Sequence, residues 1–265
     1  TYYNNPSDSS SLCDNNINTL FLDSAGDLWI GTKYGLSKYN KAMDSFINYF
    51  FEDTTNNSVI TSNITCMAED SLHLWIGETS NLICLNKKTK EITFPKIISN
   101  TKYKSSSISI QKIIIDRKGH LWIGTKTGLF NYDLKEKSLV HYKHNPENEN
   151  SLSDNDIRSL CEDFDGKIWI GTWNHGINLF DPETRTFNRY EYEDKFVDTI
   201  LLDSQDNIWI GTVSGLKFYD RTTNAFVYRN LDDNGNNTLI AQHVNVLFED
   251  RQGILVEIKI RIKFT

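Results

Sequence analysis

Apolar residues recur along the chain in short runs bounded by turn residues: INTLFLDSAGD from Ile17, ITCMAEDSLH from Ile64, IQKIIIDRKGH from Ile110, IRSLCEDFDGK from Ile157, VDTILLDSQDN from Val197 and VNVLFEDRQG from Val244. Their β-branched and aromatic enrichment, short length and flanking turn signals predict strands rather than helices. The Asp-x-x-Gly pieces, as in Asp23 to Gly26 and Asp116 to Gly119, read as tight turns with Gly supplying a positive φ. Each of the first five runs is thus the first arm of a hairpin that leads into Trp-Ile-Gly.

The tryptophans of that second arm are Trp29, Trp75, Trp122, Trp169 and Trp209, about 46 residues apart except for one step of about 40. A third strand follows (GLSKYN, NLICLN, GLFNYD, GINLFD, GLKFYD), and then a fourth, such as FINYF, LVHYK, FNRYE or FVYRN. Four antiparallel strands with apolar residues on both faces describe a sheet sandwiched between neighbouring sheets, which is a propeller blade. The predicted fold is all-β: one β-propeller region over residues 1–265, with five complete blades and an incomplete sixth.

The recurring Trp is read as filler between blades, worth about 3–5 kcal/mol on truncation to Ala. The recurring glycines Gly31, Gly77, Gly124, Gly171 and Gly211 are expected to let an adjacent backbone or ring approach closely. Two blades break the pattern. Blade two has Glu78 and Asn81 where Thr and the second Gly are expected, and blade four carries one added residue in Trp173-Asn174-His175.

A chain of 265 residues, 38% hydrophobic, can bury a sizeable core. Its net charge of −7 disfavours nucleic acid and anionic membrane surfaces as partners. Four scattered cysteines form no C-x-x-C pair, and Cys66 and Cys84 sit on first and third strands of one blade, a poor geometry for a disulfide. His141 and His144 form an H-x-x-H, but on a strand that spacing places the rings on opposite faces, so neither a metal nor a cofactor is expected. No run of about 20 apolar residues and no signal peptide is visible.

The opening YYNNPSDSSSLCDNNI overlays YKHNPENENSLSDNDI, from Tyr142, without a gap, so the chain is expected to begin within a blade-to-blade connection. At the other end DRQGIL runs on as VEIKIRIKFT where Trp-Ile-Gly-Thr is expected. The expectation is a fragment of a larger propeller, cut or frame-shifted near Gly253. It would need its missing blades or associate, for instance as a homodimer.

The pattern D-x-x-G-x-[LI]-W-I-G-T-x-x-G-[LI], the [YF]-[ND] after it and the N-P-x-x-x-x-S-L-x-x-N-x-I connection closely resemble two-component regulator propeller repeats over nearly the whole chain. The resemblance implies a sensor on the periplasmic or extracellular side of a membrane-anchored parent that adds a β-sandwich domain, a membrane helix and a histidine kinase. It also implies, for many members, control of carbohydrate use. Catalysis is not expected, since SAGDLW and RKGHLW lack the Asp of a sialidase-type turn and no pair of carboxylates stands out for glycoside cleavage. The alternative of another class is a protein-binding scaffold propeller.

In an up-and-down blade the loop joining strands two and three shares a face with the lead-in to strand one. The loops are Lys33-Tyr34, Thr79-Ser80-Asn81, Lys126-Thr127, Trp173-Asn174-His175 and Val213-Ser214, and the lead-ins add Asn16, Asn63, Asp156 and His243. Polar groups with a few aromatics suit an oligosaccharide. Trp173 is expected as a stacking platform, Asn174 and His175 as hydrogen-bonding partners and Tyr34 as a second aromatic. The plainer alternative makes Trp173 a cap on the gap to a neighbouring blade.

Overall fold

The computed structural model describes residues 1–53, 58–59, 63–79, 81–97, 108–190, 195–228, 243–250, 252–253 and 255–258. Ser80, the Arg229 and Asn230 of the predicted strand FVYRN, and everything after Ile258 lie outside them. Among the described residues the regular structure is all β.

Five antiparallel sheets of four strands follow one another in simple up-and-down order. The first is Ile17–Leu22, Leu28–Thr32, Gly35–Asn40 and Ser45–Tyr49. The second is Ile64–Glu69, His73–Glu78, Leu82–Asn86 and the two-residue Ile92–Thr93. The third is Ile110–Ile115, His120–Thr125, Gly128–Asp133 and Leu139–Tyr142. The fourth is Ile157–Glu162, Ile168–Thr172, Ile177–Asp181 and Thr186–Tyr190. The fifth is Val197–Leu202, Ile208–Thr212, Gly215–Asp220 and Ala225–Tyr228. A sixth begins with Val246–Glu249 paired to Leu255–Ile258, so a second strand forms even without its Trp-Ile-Gly-Thr. The chain divides into two compact units, Thr1–Ile115 and Asp116–Thr265.

Alternation explains which residues meet. The five repeat tryptophans are at most 7% exposed, and each indole Nε1 donates to a carboxylate at the head of its own hairpin turn: Asp23, Asp70, Asp116, Asp163 or Asp203. The same turns place Gly26, Gly119 and Gly166 at φ of 83°, 85° and 79°, the left-handed region that Gly enters without strain.

The repeat glycines do receive a close neighbour, but the expected backbone or ring is in four of the five cases an aliphatic or thiol side chain. A Cβ on Gly31, Gly124 or Gly171 would sit 2.6–2.7 Å from Ile64, Ile157 or Val197, the first strand residue of the next blade. At Gly77 the neighbours are Cys66 Sγ and Ile110. Only at Gly211 is the nearest atom backbone, the Val244 carbonyl oxygen. A branched apolar knob from one blade thus fills a hole in the blade before it.

The two N-P-x-x-x-x-S-L connections fold alike. Ser11 Oγ and Ser151 Oγ each accept the N–H of an Asn (Asn5 or Asn145) and donate back to its carbonyl, while Leu12 and Leu152 are buried. Arg189 on the fourth strand clamps the second connection through the carbonyls of Asn148, Ser151 and Leu152.

Candidate functional site

Four first strands open with a β-bulge: the ladder skips a residue between Ile17 and Thr19, Ile64 and Cys66, Ile157 and Ser159, and Val197 and Thr199. A bulge leaves one residue unpaired and re-aims its side chain. Those residues are Asn18, Thr65, Arg158 and Asp198, beside the lead-ins singled out from sequence.

The loops between strands two and three do share that face. Lys33 N–H donates to the Asn16 carbonyl, Thr79 N–H to Asn63 and Trp173 N–H to Asp156. In blades one, three and five a threonine hydroxyl shapes the loop by accepting the N–H two residues on (Tyr34, Thr127, Ser214) and donating to the Gly carbonyl three residues on. Blade four stretches this device by one residue. Thr172 Oγ1 accepts from His175 N–H at 3.1 Å and donates to the Gly176 carbonyl at 2.9 Å. Gly176 accordingly takes φ 68°, whereas Gly35, Gly128 and Gly215 stand at 145°, 122° and 134°. In blade two the departures compensate one another, as Asn81 Nδ2 donates to the buried Glu78 carboxylate at 3.1 Å.

The added residue gives the Trp173 side chain two partners that no sequence motif announced. Arg158 lies over the ring, its Cζ 4.2 Å from the centroid, and Phe196 meets the ring in a T-shaped contact at 5.1 Å. Arg158 is held in turn by Asp156, with contacts of 2.9 and 3.1 Å from Nε and the terminal nitrogen to the two carboxylate oxygens. Asp154 accepts the Asn174 N–H at 3.2 Å and lies 3.5 Å from His175 Nδ1. Beneath the loop, Ser153 Oγ donates to the His175 carbonyl, and the buried Asn178 amide bonds both Ser153 groups.

Trp173, Asn174 and His175 therefore sit together on one tethered loop, Trp173 half-buried and the other two exposed. His144 stacks parallel to His175 at 6.5 Å. Tyr34 belongs to the first unit, 46% exposed, with Lys33 Nζ 5.3 Å from its ring centroid. His141 and His144 are committed elsewhere, His141 Nε2 to the Thr127 carbonyl and His144 Nδ1 to the Leu152 carbonyl. Cys13, Cys66, Cys84 and Cys161 are all free thiols, and burial pushes that of Cys66 up to about 11. A cleft of about 820 Å³ lies on the outer strands of blades four and five, lined by Glu149, Phe187, Arg189, Tyr190, Asn224 and Phe226 among others, and includes none of the loop residues. Among the described residues no helix is long and apolar enough to cross a membrane.

Comparison with known proteins fits this architecture. The family model described as "Two component regulator propeller" matches residues 11–34, 104–127, 151–174 and 192–214. Blade two, with Glu78 and Asn81, falls outside those stretches. The extracellular domain of a hybrid two component system from B. thetaiotaomicron superimposes with a TM-score of 0.73 at 23% identity, over 93% of this chain and 33% of that one. The chain thus spans about a third of that structure's length. Virginiamycin B lyase from Staphylococcus aureus gives 0.64 at 13% identity, covering 94% of this chain and 85% of that one. PorZ of Porphyromonas gingivalis gives 0.67 at 16%, covering 91% and 37%. At these identities the likeness is one of fold. No curated protein matches the chain by sequence. The four matched stretches each take in a lead-in, a first hairpin and the start of the loop that follows, and over them this chain is similar to the two component regulator propeller family.

Proposed function

We propose that the chain is the ligand-sensing propeller region of a two-component signal-transduction regulator, and that its ligand is an oligosaccharide taken at the Trp173 loop. One observation carries the assignment of the site. The single tryptophan outside the repeat stands on the loop lengthened by one residue, at the lead-in face, with Arg158 over its ring, Asp156 paired with Arg158, and Asp154 beside His175 of the same loop. An indole beside donors and acceptors suits a sugar, whose hydroxyls need hydrogen bonds while its ring face needs apolar cover. Control of carbohydrate use by the resembling family supports the ligand class. The extracellular neighbour supports a periplasmic or extracellular position in a membrane-anchored parent that supplies further blades, a β-sandwich and a kinase.

In this reading the chain binds and does not turn over its ligand. Propeller lyases share the fold, and fold does not carry activity. Titration of an oligosaccharide panel into the chain and its Trp173→Ala form tests the reading. The expected result is affinity weakened about tenfold on truncation with the circular dichroism spectrum unchanged. Equal affinity with an intact fold places the ligand elsewhere. Loss of fold assigns Trp173 to packing, and capture of a protein partner with no sugar binding favours the scaffold.

A further inference from the structure

The blade-to-blade connections do more than join sheets. In blade one the connection runs along the outer strand Ser45–Tyr49. Phe46 N–H donates to the Ser10 carbonyl at 2.8 Å, Asn48 Nδ2 donates to the carbonyls of Ser9 and Ser11, and Leu12 packs with Ile30 and Phe46. In blade four Phe187 N–H donates to Asn150 Oδ1 at 2.7 Å, Arg189 holds the carbonyls of Asn148, Ser151 and Leu152, and Leu152 is buried. Each connection thus covers the outer strand of the blade that it enters and leaves the phenylalanine there 8% exposed.

Blade five has no such cover in its sequence. Fourteen residues, Lys143 to Asp156, lie between Tyr142 and Ile157, and fourteen, Phe50 to Asn63, between Tyr49 and Ile64, against the six from Glu191 to Phe196 between Tyr190 and Val197. The N-P-x-x-x-x-S-L segment and its leucine are missing there. Phe226 stands at the register of Phe46 and Phe187, paired with Tyr219 as they are with Tyr39 and Phe180. Its ring meets Tyr190 and Tyr219 at 5.8 and 5.1 Å, yet it is half-buried, with exposed Asn224 and Ala225 beside it. The cleft of about 820 Å³ opens at this place, lined by Asn188 to Tyr190 of blade four's outer strand and by Asn224 to Phe226 of blade five.

We propose that this cleft is a docking slot for an extended segment of a partner polypeptide, which lays a leucine-sized side chain against Phe226 and so supplies from outside what the connections supply to blades one and four. An uncovered outer strand invites such pairing. Tyr190 and Phe226 offer apolar cover, while the Asn188 amide and the Glu149 carboxylate, both on the lining, offer partners for backbone C=O and N–H groups. The volume is that of a site for a few residues of peptide. None of the Trp173 loop borders the cleft, so the inference stands apart from the sugar site.

The probe is a fluorescein-labelled peptide with the sequence of residues 143–156, which fill the equivalent place on blade four. Anisotropy titration with the full chain is expected to show saturable binding, about tenfold weaker when the peptide carries Leu152→Ala. Ala225→Trp and Asn188→Trp fill the cleft from exposed positions on its two walls. Each is expected to weaken binding by about tenfold or more with the circular dichroism spectrum unchanged, and two variants on different blades keep the test decisive if one of them misfolds. Absence of saturable binding up to about 1 mM peptide overturns the proposal. Equal affinity in a folded cleft-filling variant places the peptide elsewhere, and indifference to the leucine removes the apolar role of the slot; both overturn it. Displacement of the peptide by neutral malto-, cello- or xylo-oligosaccharides makes the cleft a sugar site and overturns it as well.

Discussion

Trp169 Nε1 donates to Asp163 Oδ2 at 2.9 Å, and the other oxygen of that carboxylate accepts the N–H groups of Asp165 and Lys167 at 3.0 and 2.9 Å. One side chain, 2% exposed, thus fastens the hairpin turn to the aromatic filler of its blade. Asp23 with Trp29, Asp116 with Trp122 and Asp203 with Trp209 repeat the arrangement at six residues' spacing, and Asp70 with Trp75 manages it at five.

Removing the carboxylate therefore strands a buried indole N–H and two turn amides at once. Asp163→Ala is expected to cost about 3–5 kcal/mol in a urea melt. Asp163→Asn is expected to recover only part of this, because its amide must point a donor at either the indole or the turn. An Asp163→Ala loss below about 1 kcal/mol would remove the bond from any account of blade stability.

The same bonds set the acid limit. Burial by itself would raise the pKa of Asp203, but donors from Trp209, the Asn207 side chain and the amides of Asn207 and Gln205 outweigh it and hold the carboxylate below its ordinary 3.8. Asp23 and Asp70 are lowered in the same way. A depressed folded pKa gives stability that is present above the unfolded value and lost as pH falls through the folded one. Denaturation midpoints are expected to be flat above about pH 5 and to fall steadily below about pH 4. Asp203→Asn should show a shallower acid limb, and an unchanged limb would assign the acid response to other carboxylates.

Strand order, the turns and the burial of the repeat tryptophans were legible because each depends on local alternation and on residues a few positions apart. The Asp of D-x-x-G read only as a turn former, since its bond to the indole becomes visible once the hairpin closes. The recurring glycines were marked as places of close approach, but for a backbone or a ring, which holds only at Gly211. Their partners Ile64, Ile157 and Val197 were not, because the knob comes from the next blade about 30 residues away in sequence. Arg158 and Phe196 escaped notice for the same reason: a bulge aims one, a blade junction places the other, and neither leaves a motif. Trp173 could be singled out only as a tryptophan outside the repeat.

Knob and hole at Gly171 and Val197 should be separable by a double-mutant cycle. A Cβ on Gly171 would stand 2.7 Å from Val197 Cγ1, so Gly171→Ala is expected to cost about 1–3 kcal/mol. Adding Val197→Ala removes the clashing methyls, and the pair should lose less than the sum of the two single changes. Gly211 gives the contrast. Its added Cβ would meet the Val244 carbonyl oxygen at 2.4 Å, so Val244→Ala should leave Gly211→Ala largely unrescued. Equal rescue at both sites would contradict the packing described.

The last prediction concerns a latch that occurs on alternate blades. Ser204 N–H and Oγ both donate to the Glu249 carboxylate, at 2.7 and 2.6 Å, so the turn of blade five is held by the first strand of blade six. Ser24 is held likewise by Glu69, which also receives Lys87, and Arg117 by Glu162. The register that carries Glu69, Glu162 and Glu249 carries Leu22, Ile115 and Leu202 in the blades between, and a hydrocarbon there cannot accept the turn amide. Glu249→Ala is expected to speed hydrogen exchange at the Ser204 amide about tenfold while costing only about 1 kcal/mol globally, because the bond is solvent-exposed. Leu202→Ala should reverse the balance, lowering global stability with little selective effect on that amide. Exchange at Ser204 that follows global stability in both variants would mean that the turn opens only when the blade unfolds, and the latch would then have no separate role.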